Sequence, residues 1–182
     1  MTLDEPTSGA TGSREAPSDG PSPGHTGRSR LSPAGRAALR VALVSLAVLG
    51  ADQLSKALVR SSIPLGSERK VLPGLLAFVH TLNRGVAFGI DPGGSAAVAL
   101  LVAAAVAALL VYFARHATRP LLWLPTGLLL GGAIGNVIDR LRLGAVTDFV
   151  KLPLGWPPFN VADACISVGV VILVVLVGFE RR

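Results

Sequence analysis

Residues 131–150 read "GGAIGNVIDRLRLGAVTDFV": an apolar, glycine-rich run that ends in Asp139, Arg140 and Arg142 and continues through "AVTDFV" into a β-prone segment. The chain is 51% hydrophobic and only 15% charged. Ionisable groups that follow directly on an apolar span are costly at a membrane edge and need a reason to be there. The stretch therefore predicts a membrane helix that delivers polar groups to one face, followed by a strand that adds another carboxylate, Asp148.

Composition supports a bilayer as the solvent. The 182 residues have a mean hydropathy of +0.59, rich in Ala, Val, Leu and Gly beyond the range of soluble domains. The net charge of +6 is dispersed: the first 40 residues hold five arginines against four acids, and the other basic residues fall near helix ends. No basic stripe is interleaved with aromatics, which argues against nucleic acid and for a basic face toward membrane lipids. A lone cysteine, Cys165, makes neither an internal disulfide nor a multi-cysteine metal site, and its apolar setting reads as packing.

Residues 1–35 are dominated by Ser, Gly, Pro, Thr and charge and predict a disordered tail. No signal peptide is expected, because the apolar core starts only at Val41 and no small-x-small cleavage site follows it before Asp52. The membrane domain is expected over 36–182, with spans near 37–59, 94–115, 120–139 and 160–179, each long enough for a hydrocarbon core of roughly 30 Å. The glycines of the third span suit close helix approach. Between the first two spans, about 62–92, the run "LLAFVHTLN" and the turn-like "NRG" predict a small sheet on the membrane surface, with "AVTDFVKL" available as a further strand. The fold class is thus an all-α membrane protein, a four-transmembrane-helix bundle with a small antiparallel β-sheet.

Hairpin topology has a consequence for chemistry. Four spans put both termini on one side and bring Asp52, Lys56, Asn83, Asn136, Asp139, Arg140, Asp148, Asn160 and Asp163 to the other. Lys and Arg are nearly balanced across the two sides, nine against eight, so charge alone barely orients the chain, and the basic tail favours a cytoplasmic N-terminus. Asp52 and Lys56 are spaced to pair on one helix face, and the Asn136/Asp139 and Asn160/Asp163 pairs have helical i, i+3 spacing.

Paired carboxylates at a membrane edge point to an aspartyl protease dyad, in which a shared proton lets one group activate water while the other protonates the substrate. Three aspartates are candidates. Asp139 precedes Arg140 at a helix end, where an ion pair or cap is a plain structural reading, while Asp148 and Asp163 can lean into the space between spans. Ser55 and Lys56 are adjacent and do not face each other on a helix. The "GGS" at 93–95 lacks a nucleophile-elbow context, and His25, His80 and His116 are too dispersed for a zinc site. No metal or cofactor is expected.

Five boxes, "DQLSK" (52–56), "NRGVAFG" (83–89), "GGAIGNVIDR" (131–140), "GAVTDF" (144–149) and "FNVAD" (159–163), occur in order with four spans. Through residues 41–180 the chain resembles the lipoprotein signal peptidase, or signal peptidase II, family. The resemblance implies a bacterial cytoplasmic-membrane enzyme with both termini cytoplasmic, an extracytoplasmic sheet and an active site near that outer face. It implies removal of the signal peptide from diacylglyceryl-modified prolipoproteins, just before the lipidated cysteine. Its catalytic pair falls on Asp148 and Asp163, its substrate-binding positions on Asn83, Gly85, Asn136, Arg140 and Asn160, and its supporting positions on Asp52, Lys56 and Asp139. Lipid-modified prolipoproteins and membrane lipids are the expected partners of a monomer, and the tail lies outside the family pattern.

Other classes fit the sequence less well. A small transporter would carry acids deep in its spans and often internal repeats, whereas here the acids gather at one rim. An inactive lipid-binding protein of the same fold would have no need of both Asp148 and Asp163. A presenilin-type protease needs a glycine-x-glycine-aspartate element, which the chain lacks.

Overall fold

Ser32 and Pro33 start the first helix. The Ser32 hydroxyl accepts a hydrogen bond from the Gly35 N–H at 3.0 Å, and Pro33 occupies the first turn, where a missing N–H costs nothing. The resulting α1 (Pro33–Ser62) therefore begins inside the segment expected to be tail, and its 30 residues reach about 45 Å. This computed structural model describes residues 31–85, 95–153 and 155–179. The expectations placed on 1–30 and 86–94 lie outside the described residues.

Three more helices follow: α2 (Ser95–His116), α3 (Trp123–Leu143) and α4 (Val161–Phe179). Helix α3 is central, packed against α1, α2 and α4. Its glycines make the first of these contacts possible. At Gly135 an added Cβ would lie 2.5 Å from Asp52 Oδ2, and at Gly131 2.7 Å from the Ser45 carbonyl oxygen. The close approach lets Ser45 donate its hydroxyl hydrogen to the Gly127 carbonyl at 3.1 Å, so a hydroxyl buried between the helices is satisfied. Among the described residues two helices, α1 and α4, are long and apolar enough to cross a membrane. Helix α2 is apolar over Leu100–His116, and α3 closes on Asp139, Arg140 and Arg142.

A three-stranded antiparallel sheet joins the bundle, with β1 (Glu68–Leu72), β2 (Leu76–Asn83) and β3 (Val146–Lys151) in that order. Gly144, at φ 69°, ends α3 in the left-handed conformation that glycine adopts without strain. The chain then enters β3 directly. Thr81 pairs with Asp148 and Asn83 with Val146, so Asn83 and Asp148 stand diagonally on one face of the sheet. Val59 of α1 and Ile63, just past its end, pack against Phe149, with Phe78, Val150 and Val161 around them, fastening the sheet to the end of the bundle. A second cluster, Ala37, Val41, Phe113 and Leu122, closes the opposite end.

Candidate active site

Asn160 and Asp163 start α4 and in doing so bring the polar groups together. Asn160 caps the helix: its Oδ1 accepts the Asp163 N–H at 2.9 Å, and its own N–H donates back to Asp163 Oδ2 at 3.3 Å. This is a reciprocal capping box with aspartate in the third helical position. The pair sits at the cap itself rather than on a shared helix face, because Asn160 precedes the helix. The remaining N–H of the first turn at Ala162 donates to Asp52 Oδ1 of α1 at 3.0 Å, so a carboxylate from a distant helix completes the cap.

The same Asn160 amide reaches the sheet. Its Nδ2 donates to Asp148 Oδ1 at 2.7 Å, and Asn83 Nδ2 donates to Asp148 Oδ2 at 3.0 Å. Asp163 Oδ1 accepts from Asn136 Nδ2 at 2.8 Å. Each oxygen of both carboxylates therefore receives one amide donor, and each keeps a further lone pair for a proton or a water. Asp148 is 2% exposed and Asp163 is half-buried. Burial pushes the Asp148 carboxyl up to about 6, the Asp163 carboxylate adds to the rise, and the Asn83 and Asn160 hydrogen bonds and Lys56 oppose it.

Behind this pair lies an ionic layer whose centre, Asp52, Lys56 and Asp139, is buried. Lys56 pairs with Asp52 at 2.8 Å and with Asp139 at 3.4 Å, and donates to Asn136 Oδ1 at 2.9 Å. Asp139 also accepts the Thr147 N–H at 2.9 Å and lies 3.9 Å from Arg60. Its ionic partners are thus Lys56 and Arg60 rather than the adjacent Arg140, which points away around the helix. Arg140 instead donates to the Gly85 carbonyl and the Asn136 carbonyl, both at 3.2 Å, while its buried Nε has no hydrogen-bond partner. Gly85 is fixed from its other side by its N–H bond to Asn83 Oδ1 at 3.0 Å.

The nine polar positions singled out in the sequence, with Gly85, all gather at this end of the bundle. Two further residues belong to the layer and carry no local signal. Gln53 Nε2 bridges Asp52, the Gly135 carbonyl and Asp139 at 3.1–3.3 Å. Arg60 donates to Thr147 Oγ1 at 3.1 Å. His80 lies apart from the layer: it is buried and its Nδ1 meets the Ile63 carbonyl at 2.8 Å. An entirely apolar cavity of about 440 Å³ lies between α2, α3 and α4, lined by Val102, Ala105, Leu109, Leu129, Ala133 and Ile166 among others.

A bacterial membrane enzyme solved by the in meso method at 2.3 Å resolution is similar in fold. It matches with a TM-score of 0.73 and 27% identity, over 78% of this chain and 89% of that one. The class is therefore a mostly helical membrane enzyme with a small antiparallel sheet. Among curated relatives, the lipoprotein signal peptidase of Symbiobacterium thermophilum is 40% identical over 149 residues, 79% of this chain and 97% of that one. That of Desulforapulum autotrophicum is 37% identical over 155 residues, 80% of this chain and 96% of that one. The family model for signal peptidase II matches residues 44–179. The chain belongs to the signal peptidase II family and is an aspartic-type peptidase acting on lipoprotein signal peptides.

Proposed function

We propose that Asp148 and Asp163 are the catalytic pair of a membrane endopeptidase that removes the signal peptide from diacylglyceryl-modified prolipoproteins, cutting just before the lipidated cysteine. One observation carries this reading: Asn160 ties the two carboxylates together, its side-chain Nδ2 donating to Asp148 Oδ1 and its backbone N–H to Asp163 Oδ2, at the end of an apolar bundle. Two carboxylates held this way share a proton, because both cannot ionise cheaply in a partly dry site. A water between them gives a proton to the ionised carboxylate as its oxygen bonds to the scissile carbonyl carbon. The protonated partner protonates the carbonyl oxygen. The tetrahedral diol then collapses: the C–N bond breaks, the proton taken from water passes to the departing cysteine nitrogen, and as C=O re-forms a diol hydroxyl returns its proton to the carboxylate that had protonated the carbonyl oxygen.

The surrounding groups suit substrate handling. Arg140 Nε is a buried donor without a partner, and a peptide carbonyl would satisfy it. Asn83, Asn136, Asn160 and the Gly85 backbone lie around the pair and would orient the extended chain, with Asp52, Lys56 and Asp139 in support. The apolar cavity beneath is suited to an acyl chain of the substrate or of a membrane lipid. In this reading all four helices span the bacterial cytoplasmic membrane, both termini are cytoplasmic, the sheet and site lie at the extracytoplasmic face, and the tail forms a separate cytoplasmic segment.

The test is a gel-shift assay with purified enzyme on one prolipoprotein in diacylglyceryl-modified and unmodified forms, the product's new N-terminus being read by mass spectrometry. Cleavage of the modified form alone, directly before the lipidated cysteine, is expected. Equal cleavage of both forms, or a cut elsewhere, would contradict the substrate assignment.

A further inference from the structure

Lys56 is 0% exposed, and its ammonium touches three acceptors: Asp52 Oδ2, Asn136 Oδ1 and Asp139 Oδ2. An ammonium has three donors and no acceptor. The atom of the Asn136 amide that faces it therefore has to be the carbonyl oxygen, since a reversed amide would press NH2 against NH3+ with both buried. That choice fixes the far end of the same amide, whose Nδ2 donates to Asp163 Oδ1 at 2.8 Å. Asn136 Oδ1 also accepts from Asn160 Nδ2 at 3.3 Å, and that nitrogen serves Asp148. One cation thus sets the direction of hydrogen bonding into both carboxylates.

We infer that Lys56 is a positioning residue for the carboxylate pair: its ammonium locks the Asn136 amide so that an N–H donor, and not a carbonyl oxygen, faces Asp163. The inference rests on Asp148 and Asp163 being the catalytic pair. Without the ammonium only the longer bond from Asn160 Nδ2, at 3.3 Å, still holds the amide oxygen, so the amide turns over more readily, and a carbonyl facing Asp163 is matched only by a protonated carboxyl. The proton is then held on the oxygen facing Asn136 and is no longer available to the substrate. The charged groups around the layer are Asp52 and Arg60 on α1, Asp139 and Arg140 on α3, Asp148 on β3 and Asp163 on α4. Removing Lys56 from this set also removes a cation that opposes the rise at Asp148, so the activity profile should move toward higher pH.

The experiment uses the full chain in lipid with diacylglyceryl-modified prolipoprotein as substrate, comparing wild type, Lys56→Met, Asn136→Ala and the double variant. Lys56→Met should lower kcat by roughly 10²-fold and move the alkaline limb of the pH profile up by about one unit, with KM held within about two-fold. The double variant should be no slower than Asn136→Ala alone, because the ammonium acts through that amide. Losses that multiply in the double variant, or a profile that does not move, would overturn the inference. Where Lys56→Met misfolds, adding Asp52→Asn removes an uncompensated carboxylate; failure to fold even then would assign Lys56 to the fold alone and overturn it as well. Asp163→Asn is run alongside: cleavage by that variant would sink the catalytic pair itself, whereas an inactive Asp163→Asn beside multiplying losses would sink only the role of Lys56.

Discussion

Asp148 carries the residue-scale argument, because its carboxyl is raised to about 6 chiefly by burial. The proton it holds is the one a shared pair needs, so kcat/KM should fall as pH rises through about 6, the limb belonging to the free enzyme. A bound acyl chain and peptide dry the site further, which favours the neutral carboxyl, so the limb in kcat should lie at higher pH than the limb in kcat/KM. Asn83→Ala removes a hydrogen bond that stabilises the ionised form, and a pH–rate series should show its alkaline limb displaced upward. A limb unmoved in Asn83→Ala would detach Asp148 from the titration. The pairing of Asp52 with Lys56 was legible from four-residue spacing alone. The contact between Asn83 and Asp148 was not, because it depends on how β2 registers against β3, which neither strand encodes by itself. Nor did sequence single out Gln53, Arg60 or Thr147, ordinary polar residues whose role appears only when α1, α3 and β3 meet.

At the scale of elements, the junction of α1, α3 and α4 sets the site. Gly135 leaves room for Asp52, and Asp52 caps α4 at Ala162 across 110 residues of sequence. Gly135→Ala forces a methyl into that contact and should cost about 1–3 kcal/mol of stability, with activity falling as the cap is displaced. Gly50, on α1 with nothing near its missing Cβ, is the control: Gly50→Ala should stabilise by about 0.5–1 kcal/mol. Thermal unfolding of both variants in the same detergent checks the contrast, and equal behaviour would place the tight contact elsewhere. The glycines of the third apolar run read in sequence as helix-contact residues, and the particular partner of each did not, since facing residues come from another helix. The start of α4 was half legible. "FNVAD" places Asn and Asp three apart, yet the reciprocal cap puts Asn160 ahead of the helix, from where its side-chain amide reaches Asp148 and its backbone N–H reaches the Asp163 carboxylate.

At the scale of the molecule, the ionic layer and the carboxylate pair occupy one end of the bundle and the Ala37–Leu122 cluster the other. The proposed orientation puts the sheet outside and the α2–α3 turn inside. Single cysteines introduced on a Cys165→Ser background test it with a membrane-impermeant thiol reagent on intact cells. Lys70→Cys, on exposed β1, should label from outside, and Arg115→Cys, in the last turn of α2, only after permeabilisation. The reverse pattern would invert the topology. The apolar segments and the polar rim were legible because hydropathy and spacing are local properties. Charge left orientation open, with nine basic residues assigned to one side and eight to the other.

The central claim is that Asp148 and Asp163 act as one catalytic unit, and the most direct measurement is cleavage of diacylglyceryl-modified prolipoprotein by folded Asp148→Asn, Asp163→Asn and the double variant. Each single variant should lose about 10³-fold or more in kcat, and the double variant should lose no more than either single one, because a pair that shares a proton fails when either half is neutralised. Near-normal cleavage by either folded single variant, or losses that multiply in the double, would contradict the account.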